Sequence, residues 1–264
     1  MQKTFADEQQ NWHGRILALS WPVILSNLSI PLVGLVDVAI LGQLSNPGYI
    51  GAIAVGTAVF SAIYWLFGFL RMGTTGLVAQ AYGAKKDNEV KLTYARALLI
   101  ATLLGISLVL IQKPLEQLLF SLFDASNDVE QMAKEYFSIR IFSAPAVLVT
   151  LASVGVLFGL QKMKTTLFLT IFLNLSNLSL DVLLVLVFDL GVQGVAIGTL
   201  ISEWVSAALG VSLVAYQINR SNPFKFSKED LFQKKNNFHN SSMSAATLSS
   251  GPFLFRSRFL WGPC

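Results

Sequence analysis

Residues Ile16–Leu41 read ILALSWPVILSNLSIPLVGLVDVAIL, and this stretch decides the fold class. It runs for twenty-six residues with one ionisable group, Asp37. A helix rises about 1.5 Å per residue and needs roughly 20 apolar residues to cross the hydrocarbon of a bilayer. The stretch is long enough to cross with tilt and too long for the core of a signal peptide. Pro22 and Pro31 each remove a backbone hydrogen bond and allow the helix to bend. A carboxylate at the centre of such a helix costs about 2.5–3.5 kcal/mol on insertion scales. It therefore faces a cavity or a partner, which makes Asp37 a functional candidate.

The remainder of the 264-residue chain has the same character. It is 53% hydrophobic and 13% charged, with nineteen phenylalanines and five tryptophans. A soluble domain carries roughly 25% charged residues, so the composition points to an all-α, polytopic transmembrane helix bundle embedded in the lipid bilayer. The net charge of +4 fits cytoplasmic lysines and gives no sign of nucleic-acid binding. Cys264 is the single cysteine, and His13 and His239 are the only imidazoles. No internal disulfide, cysteine-built metal site or histidine-rich metal site is expected, and no cofactor.

Six spans are expected, near 16–42, 50–82, 93–120, 131–158, 164–188 and 193–217. The connections are short and polar, such as Gln43–Tyr49 (QLSNPGY) and Gly83–Leu92 (GAKKDNEVKL), with glycine, proline, asparagine and aspartate at the turns. Three regions follow: a polar N-terminal segment at 1–15, a six-helix lobe at 16–218, and a serine-rich tail at 219–264 with no spanning run or periodicity. With the N-terminus inside, the inner loops hold Lys85, Lys86, Lys91, Arg96, Lys162 and Lys164. The outer loops then hold Lys113 and Lys134 beside Glu116, Asp124, Asp128 and Glu130. Positive charge concentrates in cytoplasmic loops, so both termini are expected in the cytoplasm.

Arg71 and Arg140 lie within apolar segments. Arg71 is read as snorkelling to the inner interface. Arg140 is read as an anchor at the outer interface or as the partner of a nearby acid, with substrate contact the less favoured role. In the fifth segment Thr166, Thr170, Asn174, Asn177 and Asp181 fall within about 80° of arc on a 3.6-residue period. A polar stripe ending in an acid reads as the wall of a hydrated cavity; the alternative is interhelical hydrogen bonding, at about 0.6–2 kcal/mol for each bond. Asp37 and Asp181 lie at similar depth. Such acids serve either proton relays or, with the Asn177 amide, a Na⁺ site of oxygen ligands. Glu203 is central in the sixth segment, either as a third titrating group, or paired with Arg140, or bonded to Trp204 or Ser202. Pro145 is expected to bend the fourth segment, and Gly68, Gly73 and Gly76 to thin one end of the second. No GxxxxGK[ST] motif is present, so active transport would draw on an ion gradient. No nucleophile–base set or metal cluster stands out, so an enzyme is not expected.

PVILSNLSIPLVGLVDVAILGQL in the first segment and GTTGLVAQAYGAKK at the end of the second resemble multidrug and toxic compound extrusion (MATE) transporters of the DinF-like branch. So do YFSIRIFSAPA in the fourth and NLSNLSLDVLLV with GVQGVAIGT across the fifth and sixth. The resemblance covers about residues 10–230 and implies an ion-coupled antiporter of the bacterial inner membrane. Such proteins export organic cations, drugs or other amphiphiles in exchange for H⁺ or Na⁺. It implies that Asp37, Asn177 and Asp181 form the cation-coupling site; from the residue pattern, Asn174, Thr170, Glu203 and Arg140 are further cavity-lining candidates. Val33 stands where some members place a tyrosine. Family members have two six-helix lobes, and this chain resembles the N-terminal one. A truncated or frameshifted product is expected, which a missing second lobe or self-association would complete. Two other readings are a lipid or oligosaccharide-precursor flippase of the same superfamily, and a non-transporting membrane fragment or assembly partner.

Overall fold

The computed structural model describes residues 14, 16–28, 42, 48–122 and 126–221. Among these residues all regular structure is helical. α1 is Ile16–Leu28. Then follow α2 (Gly48–Leu66), α3 (Gly68–Gly83), α4 (Asp87–Leu110), α5 (Gln112–Phe120), α6 (Asn127–Arg140), α7 (Ala144–Gly159), α8 (Met163–Asp181) and α9 (Gly191–Ser221). Five spans among the described residues are long and apolar enough to cross a membrane: Gly48–Gly83, Asp87–Leu110, Asn127–Gly159, Met163–Val187 and Gly191–Asn219. They correspond to the second to sixth expected segments. The first is described only over α1, so Pro31, Val33 and Asp37 lie outside the described residues.

The largest boundary shifts fall in the third span. The third span is 87–110 rather than 93–120. Asp87 and Glu89 occupy its first turn, where carboxylates favour the positive end of the helix dipole. Its expected second half separates at Ile111 into the short α5. The polar tail was expected from 219, but α9 runs on to Ser221. Gly73 and Gly76 have nothing within 4 Å of an added Cβ, so they do not mark close helix contacts.

Those contacts occur at other glycines. Gly155 and Gly159 of α7 form a GxxxG pair facing α3. A Cβ on Gly155 would lie 2.8 Å from the Arg71 carbonyl oxygen, and one on Gly159 would lie 2.7 Å from Val78 Cβ. In lipid no hydrophobic force drives helices together, so small residues that allow backbones to touch take that role. The Thr75 hydroxyl shares its proton across the same contact, between the Arg71 carbonyl at 2.8 Å and the Gly155 carbonyl at 3.1 Å. Gly105 of α4 meets the backbone of Pro145, and Gly56 of α2 meets the Tyr136 ring.

Pro145 breaks the fourth span as expected. A 3₁₀ turn, Ile141–Ser143, joins α6 to α7, and the proline takes the first turn of α7. At one end of the bundle the core is aromatic. Phe60 stacks on Phe137 at 5.2 Å between ring centroids, and Phe120 meets Phe137 edge-on at 5.9 Å. At the other end Val78, Val90, Val156, Leu157 and Val214 pack together. The two turns there share one geometry. Lys85 and Gln161 take left-handed φ values of 57° and 58°. The following residues, Lys86 and Lys162, bond back to the carbonyls of Ala81 and Leu157 at 2.9 and 2.8 Å. These six-to-one bonds cap carbonyls that a helix end would otherwise leave bare.

Candidate functional site

α8 carries the polar stripe, and its polar positions turn inward. Thr166 and Asp181 are buried, while Thr170, Asn174 and Asn177 are half-buried. Thr170 Oγ1 donates to the Thr166 carbonyl one turn back, at 3.1 Å. Asn177 Nδ2 donates to Thr199 Oγ1 of α9 at 3.2 Å, and Thr199 in turn donates to the Val195 carbonyl at 2.9 Å. Asn177 is thus an interhelical bond of the kind polar side chains form inside membranes.

Asp181 is 1% exposed. Its carboxylate lies in the notch made by Gly198 of α9, where Oδ1 fills the room a Cβ would need. Gly198 and Thr199 are consecutive, so one short stretch of α9 receives both the acid and the amide of α8. The sequence reading named neither residue. The signal available for them was GVAIGT, a run of small residues opposite a polar stripe.

Directly after Asp181 the helix widens. Val182–Val187 forms a π-helical turn in which Phe188 N–H donates to the Leu183 carbonyl at 3.1 Å. Asp189 follows in the left-handed region at φ 54°. π-turns inside helices recur at functional sites, because the extra residue re-aims side chains and loosens the backbone ladder. Carboxylate, amide carbonyl and hydroxyl oxygens form a donor set that suits a hard cation. The same carboxylate can carry a proton. Asp37, the remaining member expected here, lies outside the described residues. A cavity of about 160 Å³ lies at the opposite end of the bundle, lined by residues that include Tyr82, Asp87, Lys162 and Gln217.

Arg140 and Glu203 are brought together, in keeping with the pairing alternative for both residues. Arg140 Nη2 lies 3.7 Å from Glu203 Oε1, and each side chain is 14% exposed. Arg140 is therefore an interior group rather than an interfacial anchor. Arg140 Nη1 donates to Tyr136 Oη at 2.6 Å. The guanidinium carbon lies 4.8 Å from the Phe60 ring centroid and 5.4 Å from that of Tyr136. The other two bonds considered for Glu203 are not made, since Trp204 Nε1 donates to the Phe142 carbonyl and Ser202 Oγ to the Thr199 carbonyl. Glu203 is five residues beyond Gly198, about 7.5 Å deeper along α9 at about 1.5 Å per residue. The pair and the Asp181 notch thus lie on one helix at two depths. Arg71 is exposed on α3.

Comparison with known proteins agrees with this architecture. The MatE family model matches residues 22–183. DNA damage-inducible protein F of Escherichia coli (strain K12) is 39% identical over 203 residues, which is 77% of this chain and 43% of that protein. Multidrug export protein MepA of Staphylococcus aureus (strain NCTC 8325 / PS 47) is 25% identical over 196 residues, 74% of this chain and 43% of the relative. Among solved structures, a MOP superfamily transporter from Pyrococcus furiosus Vc1 (DSM3638) superposes with a TM-score of 0.73 at 22% identity. It covers 89% of this chain and 53% of the other. At that identity the likeness establishes the fold alone. The chain spans about half the length of the relatives it matches.

Proposed function

This chain belongs to the MatE family of multi-pass membrane transporters, and from that premise we propose that it forms the N-terminal, cation-binding lobe of an ion-coupled exporter. Its substrates are amphiphilic or cationic small molecules, and its location is the bacterial inner membrane with both termini in the cytoplasm. Asp37, Asn177 and Asp181 hold the coupling ion, H⁺ or Na⁺, with Thr199 fixing the amide. The observation that carries the reading is the buried Asp181 carboxylate, seated on Gly198 beside the Asn177–Thr199 bond and directly before the π-helical turn. A buried acid costs more than one interhelical hydrogen bond returns, so packing alone does not account for it. Asn174 and Thr170 continue the polar face and line the ion's approach. A second lobe completes the substrate path.

The test is efflux of a cationic dye such as ethidium from pump-deficient cells expressing the chain, energised in turn by a proton and by a sodium gradient. Asp37→Asn and Asp181→Asn should each abolish gradient-dependent efflux, and the gradient that restores efflux to the unmutated chain identifies the ion. Unchanged efflux in both variants would sink the coupling site. No gradient-dependent efflux under either gradient, with the chain expressed together with a second lobe of the family, would sink the exporter reading.

A further inference from the structure

We propose that Glu203 is a second proton-exchanging group of this lobe, and that its charged form latches α9 to the break in the fourth span through Arg140. The proposal does not depend on the coupling role given to Asp37 and Asp181.

Arg140 is held chiefly by groups other than Glu203. One nitrogen donates to Tyr136 Oη at 2.6 Å, and the rings of Phe60 and Tyr136 lie within 5.4 Å of the guanidinium carbon. These contacts need the guanidinium charged, and they stand without Glu203. The link to Glu203 is weaker. At 3.7 Å it exceeds the roughly 2.7–2.9 Å of a charge-assisted hydrogen bond. Glu203 Oε2 and Arg140 Nε are both buried with no direct hydrogen bond among the described residues. A buried ion pair offsets its desolvation only when the geometry is excellent and the remaining lone pairs are satisfied. Neither condition holds for Glu203, so this carboxylate is the partner that can become neutral.

The groups facing Glu203 among the described residues are Arg140 and Tyr136 of α6, Tyr64 of α2, and Ser143 in the 3₁₀ turn. One proton converts the carboxylate to a carboxyl, the ion pair opens, and Arg140 keeps its charge on the aromatic wall. The mechanical consequence follows from position. Trp204, the next residue on α9, donates to the Phe142 carbonyl at 3.2 Å. Consecutive residues of α9 therefore hold Arg140, the last residue of α6, and Phe142 within the Ile141–Ser143 turn, where Pro145 has already weakened the backbone ladder. Loss of the Glu203 contact leaves one grip instead of two and frees the turn to re-angle α6 against α7. Thr199, one turn earlier on α9, ties the same helix to Asn177. Movement at the turn can thus reach the acid notch through a single rigid element.

The experiment is pH-difference infrared spectroscopy on the purified chain in phosphatidylethanolamine–phosphatidylglycerol vesicles, read at the protonated-carboxyl stretch. A component should be lost in Glu203→Gln and kept in the Asp37→Asn/Asp181→Asn double variant. In Arg140→Gln it should stop responding to pH, because a buried carboxyl without a partner stays neutral. Where Glu203→Gln does not fold, ¹³C labelling of glutamate carboxyls in the unmutated chain must shift the component. A component unchanged in Glu203→Gln, or unmoved by the label, overturns proton exchange at Glu203. The latch is read by spin labels at Glu135→Cys and Ile201→Cys in a Cys264→Ser background. The distance distribution should change between alkaline and acid pH, and Glu203→Gln should hold the acid form throughout. A pH-independent distribution overturns the latch.

Discussion

Replacing Gly198 by alanine tests the acid notch at the level of single atoms. The added Cβ would have to share space with Asp181 Oδ1, while the other neighbours, the Asp181 amide nitrogen and Leu180 Cβ, lie at an ordinary 3.4 Å. The carboxylate alone must therefore move. Asp181 is 1% exposed, so it must move within a packed interior. Pushing a side chain about 30° off its rotamer costs about 0.5–1.5 kcal/mol. Overpacking an interior by one carbon costs about 1–3 kcal/mol. Gly198→Ala should lose about 1–3 kcal/mol, which lowers the thermal midpoint in detergent by about 2–4 °C for each kcal/mol in a chain of this size. The assay is a double-mutant cycle with Asp181→Ala. If the clash is with the carboxylate, the cost of Gly198→Ala should fall towards zero in the Asp181→Ala background, a coupling within the about 0.5–3 kcal/mol seen for residues in contact. An equal cost in both backgrounds, or a Gly198→Ala protein as stable as the parent, would refute the placement of Asp181 against α9.

Glu203→Leu alone should cost less than the about 3–5 kcal/mol of a broken buried ion pair, because Tyr136 Oη and the Phe60 and Tyr136 rings still hold the guanidinium, and Arg140→Met with Glu203→Leu should be near neutral; chemical unfolding in mixed micelles measures both. Gly155→Leu should separate α3 from α7 and lower the thermal midpoint, while Gly76→Leu, with open space around it, should leave the midpoint close to the parent's. Thr199→Val removes the acceptor of Asn177 Nδ2 and should cost about 0.6–1.7 kcal/mol, with weaker ion-dependent protection of the chain from thermal unfolding. Gln161→Gly should stabilise slightly, by up to about 1 kcal/mol in the same thermal assay, because a left-handed φ costs an L-residue about 1–2 kcal/mol and glycine returns part of that in chain entropy.

The spans were legible in the sequence because lipid imposes one simple demand. Every backbone polar group must be satisfied inside its own segment, so a spanning stretch shows as a long apolar run whatever packs beside it. The polar stripe of α8 was legible for a similar reason: a 3.6-residue period places Thr166, Thr170, Asn177 and Asp181 on one face without reference to any other helix. Pro145 announced its break because the missing N–H is a local property.

What stayed hidden concerned pairs of helices. Nothing in TLISEWVSAALG states that Glu203 lies at the depth of Arg140, sixty-three residues earlier, or that Phe60 and Tyr136 cover the guanidinium. Gly68, Gly73 and Gly76 were expected to thin one end of the second segment, yet the glycines with the tightest approaches among the described residues are Gly56, Gly105, Gly155, Gly159 and Gly198. A glycine's role depends on what the facing helix places opposite it. The sequence by itself determined a membrane-spanning helical chain with acids on defined faces, since periodicity and apolar length are properties of one segment. Only the tertiary structure decided that Asp181 rests on Gly198, that Asn177 reaches Thr199, and that Arg140 divides its bonds between an aromatic wall and a carboxylate. Those outcomes follow from the register of neighbouring helices, which no single segment encodes.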